Sequence, residues 1–327
     1  MSGGTYPTLT INSAFPRHDG DCVLSQINTV VRLHDVARLP ELRRCVFSLV
    51  GQSYRPIHII LTLQRFSAGD IAAVTDALNP LIERDDGITL SALNYEDPKP
   101  TDARANLLNL GVQHADGGYL AFLDYDDVLY PEAYQLLAAR LKNTGAAIAF
   151  ANVRVMRLNV YDQFLYAESK VTPPFGGSDL LDLFRGNFCP LHSYLIDHEH
   201  VSKDVLQFNT SLAMEEDYDV LLRICAKYRS DFGLIGTCIG DYYYKTDGSN
   251  TVPTEGGLSG QALARYMKVK TTIEERRRST DVSVSVQRML GLPASETPLT
   301  IHDVLGRFSS GWLSAFTRRR TAANTEV

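Results

Sequence analysis

The chain has 327 residues, of which 44% are hydrophobic and 21% are charged, so it is long enough for one large or two modest soluble domains. Its formal net charge of -6 argues against a function based on bulk attraction to nucleic acid. The five cysteines are scattered without a C-x-x-C pair, which argues for reduced thiols in a cytoplasmic setting and against a disulfide framework or a zinc site.

The first part of the chain alternates between strand-like and helix-like segments. Residues 1–24 have no strong periodicity, so we predict a loosely held arm without a signal peptide. Short apolar runs then predict buried strands at 28–33, 57–63, 88–93 and 119–123. Helical stripes separate these runs, and the clearest stripe begins at Pro40. The alternation predicts an α/β fold with a Rossmann-like, mostly parallel sheet flanked by helices.

An acidic run follows the fourth of these strands, at Asp124, Tyr125, Asp126 and Asp127. Three carboxylates cannot lie in a dry interior without partners, so the strand must deliver them to a wet edge or to a cation. Ligands of open α/β sheets gather at the carboxyl ends of the strands, and oxygen clusters there suit hard divalent cations that also hold phosphates. The alternative is a solvated acidic turn.

The second half of the chain is less regular. Residues 159–177 predict a loop-rich insertion, and Glu215–Tyr228 predicts a strong helix. Phe232–Ile239 then predicts a strand, and residues 241–251 predict a loop rich in tyrosine and glycine. Residues 252–327 are expected to be helical, and no apolar stretch in the chain is long enough to span a bilayer.

A second acidic cluster, Glu215, Glu216 and Asp217, lies at the start of the strong helix. Carboxylates favour a first helical turn because of the helix dipole, which is the plain structural explanation. Asp217, however, falls on the same stripe as Leu221 and Ile224 and is therefore expected to point inward. The two clusters suit a division of labour in which one holds a metal and the other handles a proton.

With these segments the chain resembles a family 2 glycosyltransferase with the GT-A fold. The matching pieces occur in the family's order over residues 28–251: VVRLHD, RLPELRRCVFSLVGQSYRP, DARANLLNLGVQHADGGYLAFLDYDDVL, GNFCPLHSYLI, EEDYDVLLR and YYYKTDGSNT. The resemblance implies a GT-A domain at 25–251, with a nucleotide-sugar half at 25–127 and an acceptor half at 128–251. Residues 252–327 would form a helical C-terminal extension.

The resemblance implies a metal-dependent, inverting glycosyltransferase of hexosyltransferase type. Such an enzyme moves a sugar from a nucleoside diphosphate-sugar, by default a UDP-sugar, to a glycan or lipid-linked acceptor, as in the assembly of a surface polysaccharide. Mg²⁺ or Mn²⁺ would stabilise the departing diphosphate. The acceptor hydroxyl would need a carboxylate base on the opposite face of the sugar.

The site residues implied by the resemblance fall into four groups. The catalytic residues are Asp217, as the general base, and its neighbour Glu216. The donor-binding residues are Arg32, Asp35, Gln64, Arg104, Asp124 and Tyr125. The metal ligands are Asp126 and Asp127 of the DXD-like run, together with Asp247. The acceptor side holds Asn187 and His192, although a purely structural histidine at 192 is an equal alternative.

Three segments depart from the family's pattern. The family's second strand usually ends in acidic residues that help to read the base, whereas LTLQRFS offers only Gln64. The segment Arg32–Asp35 replaces a more usual proline–aromatic–Asn segment. Lys245 and Asp247 stand where arginine and a metal-binding histidine are common. These departures leave the nucleotide base and the third metal ligand open.

Three other functions fit parts of the sequence. A catalytically silent sugar-nucleotide-binding or scaffold protein could keep the same fold, although the intact acids argue against it. DYDDV also fits the nucleophile loop of haloacid-dehalogenase-like phosphatases, but that loop normally follows the first strand. Nucleotidyltransferases share part of the fold, but no Gly-rich phosphate loop opens the first strand here.

The run Asp197–His200 directly follows a predicted strand, and we interpret it as a solvated turn rather than a metal site.

The C-terminal tail has one apolar face, which includes Val304, Phe308, Trp312 and Phe316, and runs into Arg318–Arg320. Aromatic residues beside arginines suit the interface of an anionic membrane. The segment 304–320 could therefore hold a cytoplasmic enzyme peripherally at the inner face of the membrane. The competing interpretation is that this face packs on the catalytic domain or on a second subunit of a homo-oligomer.

Overall fold

A computed structural model describes residues 8–11, 24–85, 87–161, 164–171, 176–245, 260–293 and 297–309. The strands are β1 (Thr8–Ile11), β2 (Ile27–Leu33), β3 (Ile57–Gln64), β4 (Ile88–Tyr95), β5 (Tyr119–Asp124), β6 (Val128–Leu129), β7 (Ile148–Tyr161), β8 (Phe164–Val171), β9 (Tyr194–Asp197), β10 (Ser230–Lys245), β11 (Asp281–Val282) and β12 (Leu299–Thr300). The α-helices are α1 (Leu39–Val50), α2 (Ala68–Ile82), α3 (Arg104–His114), α4 (Ala133–Thr144), α5 (Leu180–Arg185), α6 (Glu216–Lys227), α7 (Gly260–Ser279), α8 (Val284–Met289) and α9 (Ile301–Ser309).

One large sheet organises the molecule, with the strand order β1-β4-β3-β2-β5-β9-β7-β10-β6, and β8 pairs with β7. Neighbouring strands are parallel from β4 through β3 and β2 to β5, and again between β7 and β10. The strands β1, β6, β8 and β9 pair antiparallel. The predicted α/β fold with a mostly parallel sheet is therefore confirmed.

Both faces of the sheet are buried, which explains why the parallel strands read as continuous apolar runs. Val30 of β2 joins a core with helices α3, α5 and α6, and its neighbour Val31 joins a core on the opposite face with α1, α2 and α4. Helix α3 approaches β2 so closely that a Cβ at Gly111 would lie 2.3 Å from Val30 Cγ1. A side chain at Gly111 would thus push away helix α3, which begins at Arg104.

Three segments differ from the sequence-based expectation. Strand β1 lies inside the region expected to be a loosely held arm, and it pairs with β4. The expected loop at 159–177 instead contains β8, which pairs with the end of β7 and leaves much of this ribbon exposed. Strand β10 does not end at Ile239 but continues to Lys245, because its aromatic run suits the pleated surface. Its pairing with β7 is irregular up to Asp241 and regular afterwards.

The C-terminal helices pack against α6. Arg276 of α7 lies 2.6 Å from the fully buried Asp219, and Lys270 lies 2.6 Å from Glu215. Val304 of α9 is buried in the same core, and Phe308 packs against that core. In the described part of the predicted membrane segment, these two side chains therefore pack on the protein itself. Residues 310–320 of that segment lie outside the described ranges. Within those ranges, no helix has both the length and the apolar character needed to cross a bilayer.

Candidate active site

Arg32 and Asp124 lie side by side at the carboxyl ends of two central strands, because the parallel register pairs them. Arg32 Nε donates to Asp124 Oδ1 at 2.7 Å, and Arg32 Nη1 donates to Glu216 Oε1 at 2.8 Å. Burial by itself would raise the pKa of Asp124, but the charge and hydrogen bonds of Arg32 outweigh it and lower the pKa. Asp124 is therefore an ionised carboxylate that Arg32 links to helix α6.

A cavity of about 310 Å³ opens at this edge of the sheet. Seven of the predicted site residues line it: Arg32, Gln64, Arg104, Asp124, Tyr125, Asp126 and Asp127. Seven further lining residues were not predicted: Leu33, His34, Thr101, Asp102, Leu107, Tyr242 and Tyr243. The two tyrosines reach the cavity because β10 continues past Ile239. Their β-prone run and their place in the segment YYYKTDGSNT were the sequence signals for them.

Two of the predicted donor residues have structural partners of their own. Gln64 Nε2 donates to the Thr101 carbonyl at 2.9 Å, and Gln64 Oε1 accepts from Ala103 N at 3.1 Å. Gln64 thus fixes the loop before α3, and its amide is already engaged. Asp35 is exposed and lies outside the cavity lining, where its carboxylate accepts from Ala37 N and caps a short 3-10 helix.

Asp126 is paired with a lysine. Lys245 Nζ lies 2.8 Å from Asp126 Oδ2 and 3.9 Å from Glu41 Oε1, and the Lys245 side chain is almost completely buried. The ammonium also lies 5.6 Å from the centre of the Tyr125 ring. The Lys245 ammonium therefore lies beside Asp126, where the resemblance implies a metal ion.

Asp127 is the most buried carboxylate of the cavity lining. Its Oδ1 accepts from Tyr243 N at 2.8 Å, and burial raises the pKa of this carboxyl well above its usual range, with Asp126 and Asp124 adding to the effect. His192 Nδ1 lies 3.3 Å from Asp127 Oδ2, and burial lowers the pKa of His192 to about 4. The structure therefore places the histidine against the acidic run as a buried, neutral side chain.

A divalent cation does not fit the carboxylates as they are arranged. Both oxygens of Asp124 accept from Arg32, Asp126 Oδ2 accepts from Lys245, and Asp127 Oδ1 accepts from a backbone amide. Hard cations take several oxygen ligands at once. Among the described residues, no group of three or more His, Cys, Asp or Glu side chains is placed to hold a metal ion. The predicted ligand Asp247 lies outside the described residues.

Asp217 lies in the first turn of α6, next to Glu216. Burial, reinforced by the charge of Glu216, raises its pKa to about 7. Tyr218 N donates to Asp217 Oδ1 at 2.8 Å, and Asn187 Nδ2 lies 3.5 Å from Oδ2. The structure thus brings Asn187 and Asp217 together, although neither belongs to the cavity lining. A carboxyl with a pKa near neutrality can accept a proton at physiological pH.

Residues 36–178 match the family described as glycosyl transferase family 2. The resemblance inferred from the sequence is confirmed for this part of the chain. No curated protein sequence matched.

The fold is similar to that of solved structures of TarS from S. aureus. One TarS structure has 12% sequence identity and a TM-score of 0.54, with 81% of this chain and 42% of that chain covered. The fragment TarS 1-349 in complex with UDP has 11% identity and a TM-score of 0.53, with 88% and 74% covered. The same fragment in another structure has 9% identity and a TM-score of 0.52, with 80% and 67% covered. At such low identities the likeness concerns the fold alone.

Proposed function

We propose that the chain is an inverting glycosyltransferase that transfers a sugar from a nucleoside diphosphate-sugar to a hydroxyl group. One observation carries this proposal: a carboxyl with its pKa raised to about 7, that of Asp217, is tied through Glu216 and Arg32 to a cavity at the strand ends. The family match over residues 36–178 supports the reaction class.

In the proposed reaction, the oxygen of the acceptor hydroxyl attacks the anomeric carbon of the donor sugar. Asp217 accepts the hydroxyl proton as the new glycosidic bond forms. The bond from the anomeric carbon to the diphosphate oxygen breaks, and the diphosphate leaves with the electron pair. Attack from the face opposite the leaving group inverts the anomeric configuration. Asn187 lies close enough to Asp217 to orient its carboxylate.

A UDP-sugar is the first donor to test, because the similar TarS fragment was solved with UDP-GlcNAc. The proposed acceptor is a glycan or a lipid-linked glycan, and the proposed setting is cytoplasmic. Cys45, Cys189, Cys225 and Cys238 are free thiols in the structure, which supports a reducing compartment. The resemblance implies dependence on Mg²⁺ or Mn²⁺. The proposed mechanism has no step that requires a metal ion, because Lys245 pairs with Asp126.

The proposal is tested with the full chain, a panel of nucleoside diphosphate-sugars and simple sugar acceptors, in solutions with Mn²⁺ and with EDTA. We expect release of the nucleoside diphosphate with at least one donor. Asp217→Asn should keep nucleotide-induced thermal stabilisation but lose turnover, because only proton transfer is removed. Asp76→Asn, an exposed change on α2, is the matched control and should behave as the wild type.

Two results would contradict the proposal. Nucleotide binding without release of the nucleoside diphosphate or transfer, with any donor and acceptor, would favour the silent binding protein. Wild-type turnover by Asp217→Asn would remove Asp217 from the mechanism. The anomeric configuration of the product, read from proton coupling constants in NMR spectra, tests inversion separately.

A further inference from the structure

Lys245 is an almost completely buried cation next to the acidic run Asp124–Asp127. Its side chain is 2% exposed, and its ammonium lies 2.8 Å from Asp126 Oδ2. A buried ammonium persists only where it is paired, since desolvation of an isolated charge is costly. The pair is therefore a fixed part of the wall behind the cavity.

Neighbouring contacts hold this pair in place. The backbone of Tyr243, two residues before Lys245, donates to Asp127 Oδ1 at 2.8 Å. Arg44 Nη2 donates to the Asp126 carbonyl oxygen at 3.1 Å, and its guanidinium carbon lies 4.6 Å from the centre of the Tyr243 ring. The end of β10 and the acidic run are thus joined at several points, and the position of Lys245 follows from this attachment.

We infer that Lys245 permanently neutralises Asp126, so that a nucleoside diphosphate binds in this cavity without a divalent cation. The inference rests on the proposed function. An ionised Asp126 would repel a diphosphate unless a positive charge compensated it. A divalent ion would have to share Asp126 with the Lys245 ammonium at Oδ2, and both oxygens of the neighbouring Asp124 already accept from Arg32. Lys245 is a positioning residue in this role, because it stands behind Asp126 and outside the cavity lining.

The experiment measures the binding of UDP, GDP, CDP and ADP to the full chain by calorimetry, in EDTA and in Mn²⁺. For the nucleotide that binds best, we expect the two dissociation constants of the wild type to agree within about threefold. Lys245→Met should weaken binding in EDTA by about tenfold or more, and Mn²⁺ should restore part of it. Lys245→Arg should bind like the wild type, and Lys142→Met, on the exposed side of α4, is the control.

The outcomes separate this inference from the proposed function. Wild-type binding that requires Mn²⁺ would overturn the role of Lys245 and leave the glycosyltransferase proposal standing. Equal affinities of the wild type and a folded Lys245→Met in EDTA would overturn that role too. Failure of every nucleotide to bind in either solution would overturn both. If Lys245→Met does not fold, the dissociation constants of the wild type and Lys245→Arg are compared in EDTA and in Mn²⁺. A requirement for Mn²⁺ would then overturn the role of Lys245.

Discussion

Arg32 and Glu216 are 184 residues apart in the sequence, yet the Arg32 guanidinium donates to the Glu216 carboxylate at 2.8 Å. The same guanidinium holds Asp124, so one side chain links the end of β2 to the cavity and to the helix of the proposed base. The position of Asp217 relative to the cavity therefore depends on Arg32.

Replacing Arg32 should destabilise the protein. Arg32→Gln leaves Glu216, whose side chain is 6% exposed, without its cation, and the same change unpairs Asp124. We expect the free energy of unfolding to fall by roughly 2–4 kcal/mol, because removal of one partner strands a buried charge. Urea denaturation measures this, with the exposed Arg84→Gln as the control. Equal midpoints for the two variants would mean that the Arg32 contacts contribute little.

The pH dependence of transfer should report Asp217. A general base works only when it is deprotonated, so kcat/KM should fall as the pH drops below about 7, the raised pKa of this carboxyl. The hydrogen bond from Asn187 lowers that pKa, so Asn187→Ala should move the limb of the profile to higher pH. The measurement is kcat/KM across the neutral range for both proteins. A limb that stays in place in Asn187→Ala would mean that a different group titrates.

Gln64→Ala should weaken donor binding without changing which base is preferred. The Gln64 amide is used to hold Thr101 and Ala103, so its loss loosens one wall of the cavity. We expect the dissociation constants of UDP and GDP to rise together, by about three- to tenfold. Gln113→Ala, on the exposed face of α3, serves as the control. A selective loss for one nucleotide would show that Gln64 reads the base after all.

The contact between α7 and α6 should stabilise the proposed catalytic helix. Arg276→Ala removes one of the two arginines that pair with the fully buried Asp219, and we expect a loss of about 1–3 kcal/mol in the free energy of unfolding. Arg278→Ala removes only the exposed pair with Glu274 and should change it by less than about 0.5 kcal/mol. Chemical denaturation compares the two, and similar losses would argue against a special role for Asp219.

The C-terminal tail gives a prediction that can be tested by truncation. Val304 is buried in the protein core and Phe308 packs against that core, so the cut should be placed after Ser309. We expect the full chain to sediment with anionic liposomes and the truncated chain to sediment less, because residues 310–320 include Trp312, Phe316 and Arg318–Arg320. Equal sedimentation of the two proteins, or none by the full chain, would remove the membrane role.

Local patterns in the sequence were enough to predict the sheet and the acidic run. The apolar run before Asp124 fixes a strand end, so this end could be read from neighbouring residues. The helical stripe was less informative, because the buried carboxylates of α6 are Glu216 and Asp219, whereas Asp217 is half-buried. The pair of Lys245 with Asp126 could not be read in this way, since 119 residues separate the two side chains. Strand β8 was missed for a related reason: its cross-strand partners, rather than its own composition, make it a strand.

The pairing of β10 with β7 limits where the chain length can vary in related proteins. Up to Asp241 the pairing shifts at three places, so this part of the strand can accommodate a residue more or less. From Asp241 to Lys245 the pairing is continuous. A single insertion or deletion there would turn the lysine to the other side of the sheet and away from Asp126. In an alignment with relatives that keep this charge pair, gaps should therefore fall before Asp241 and not between Asp241 and Lys245.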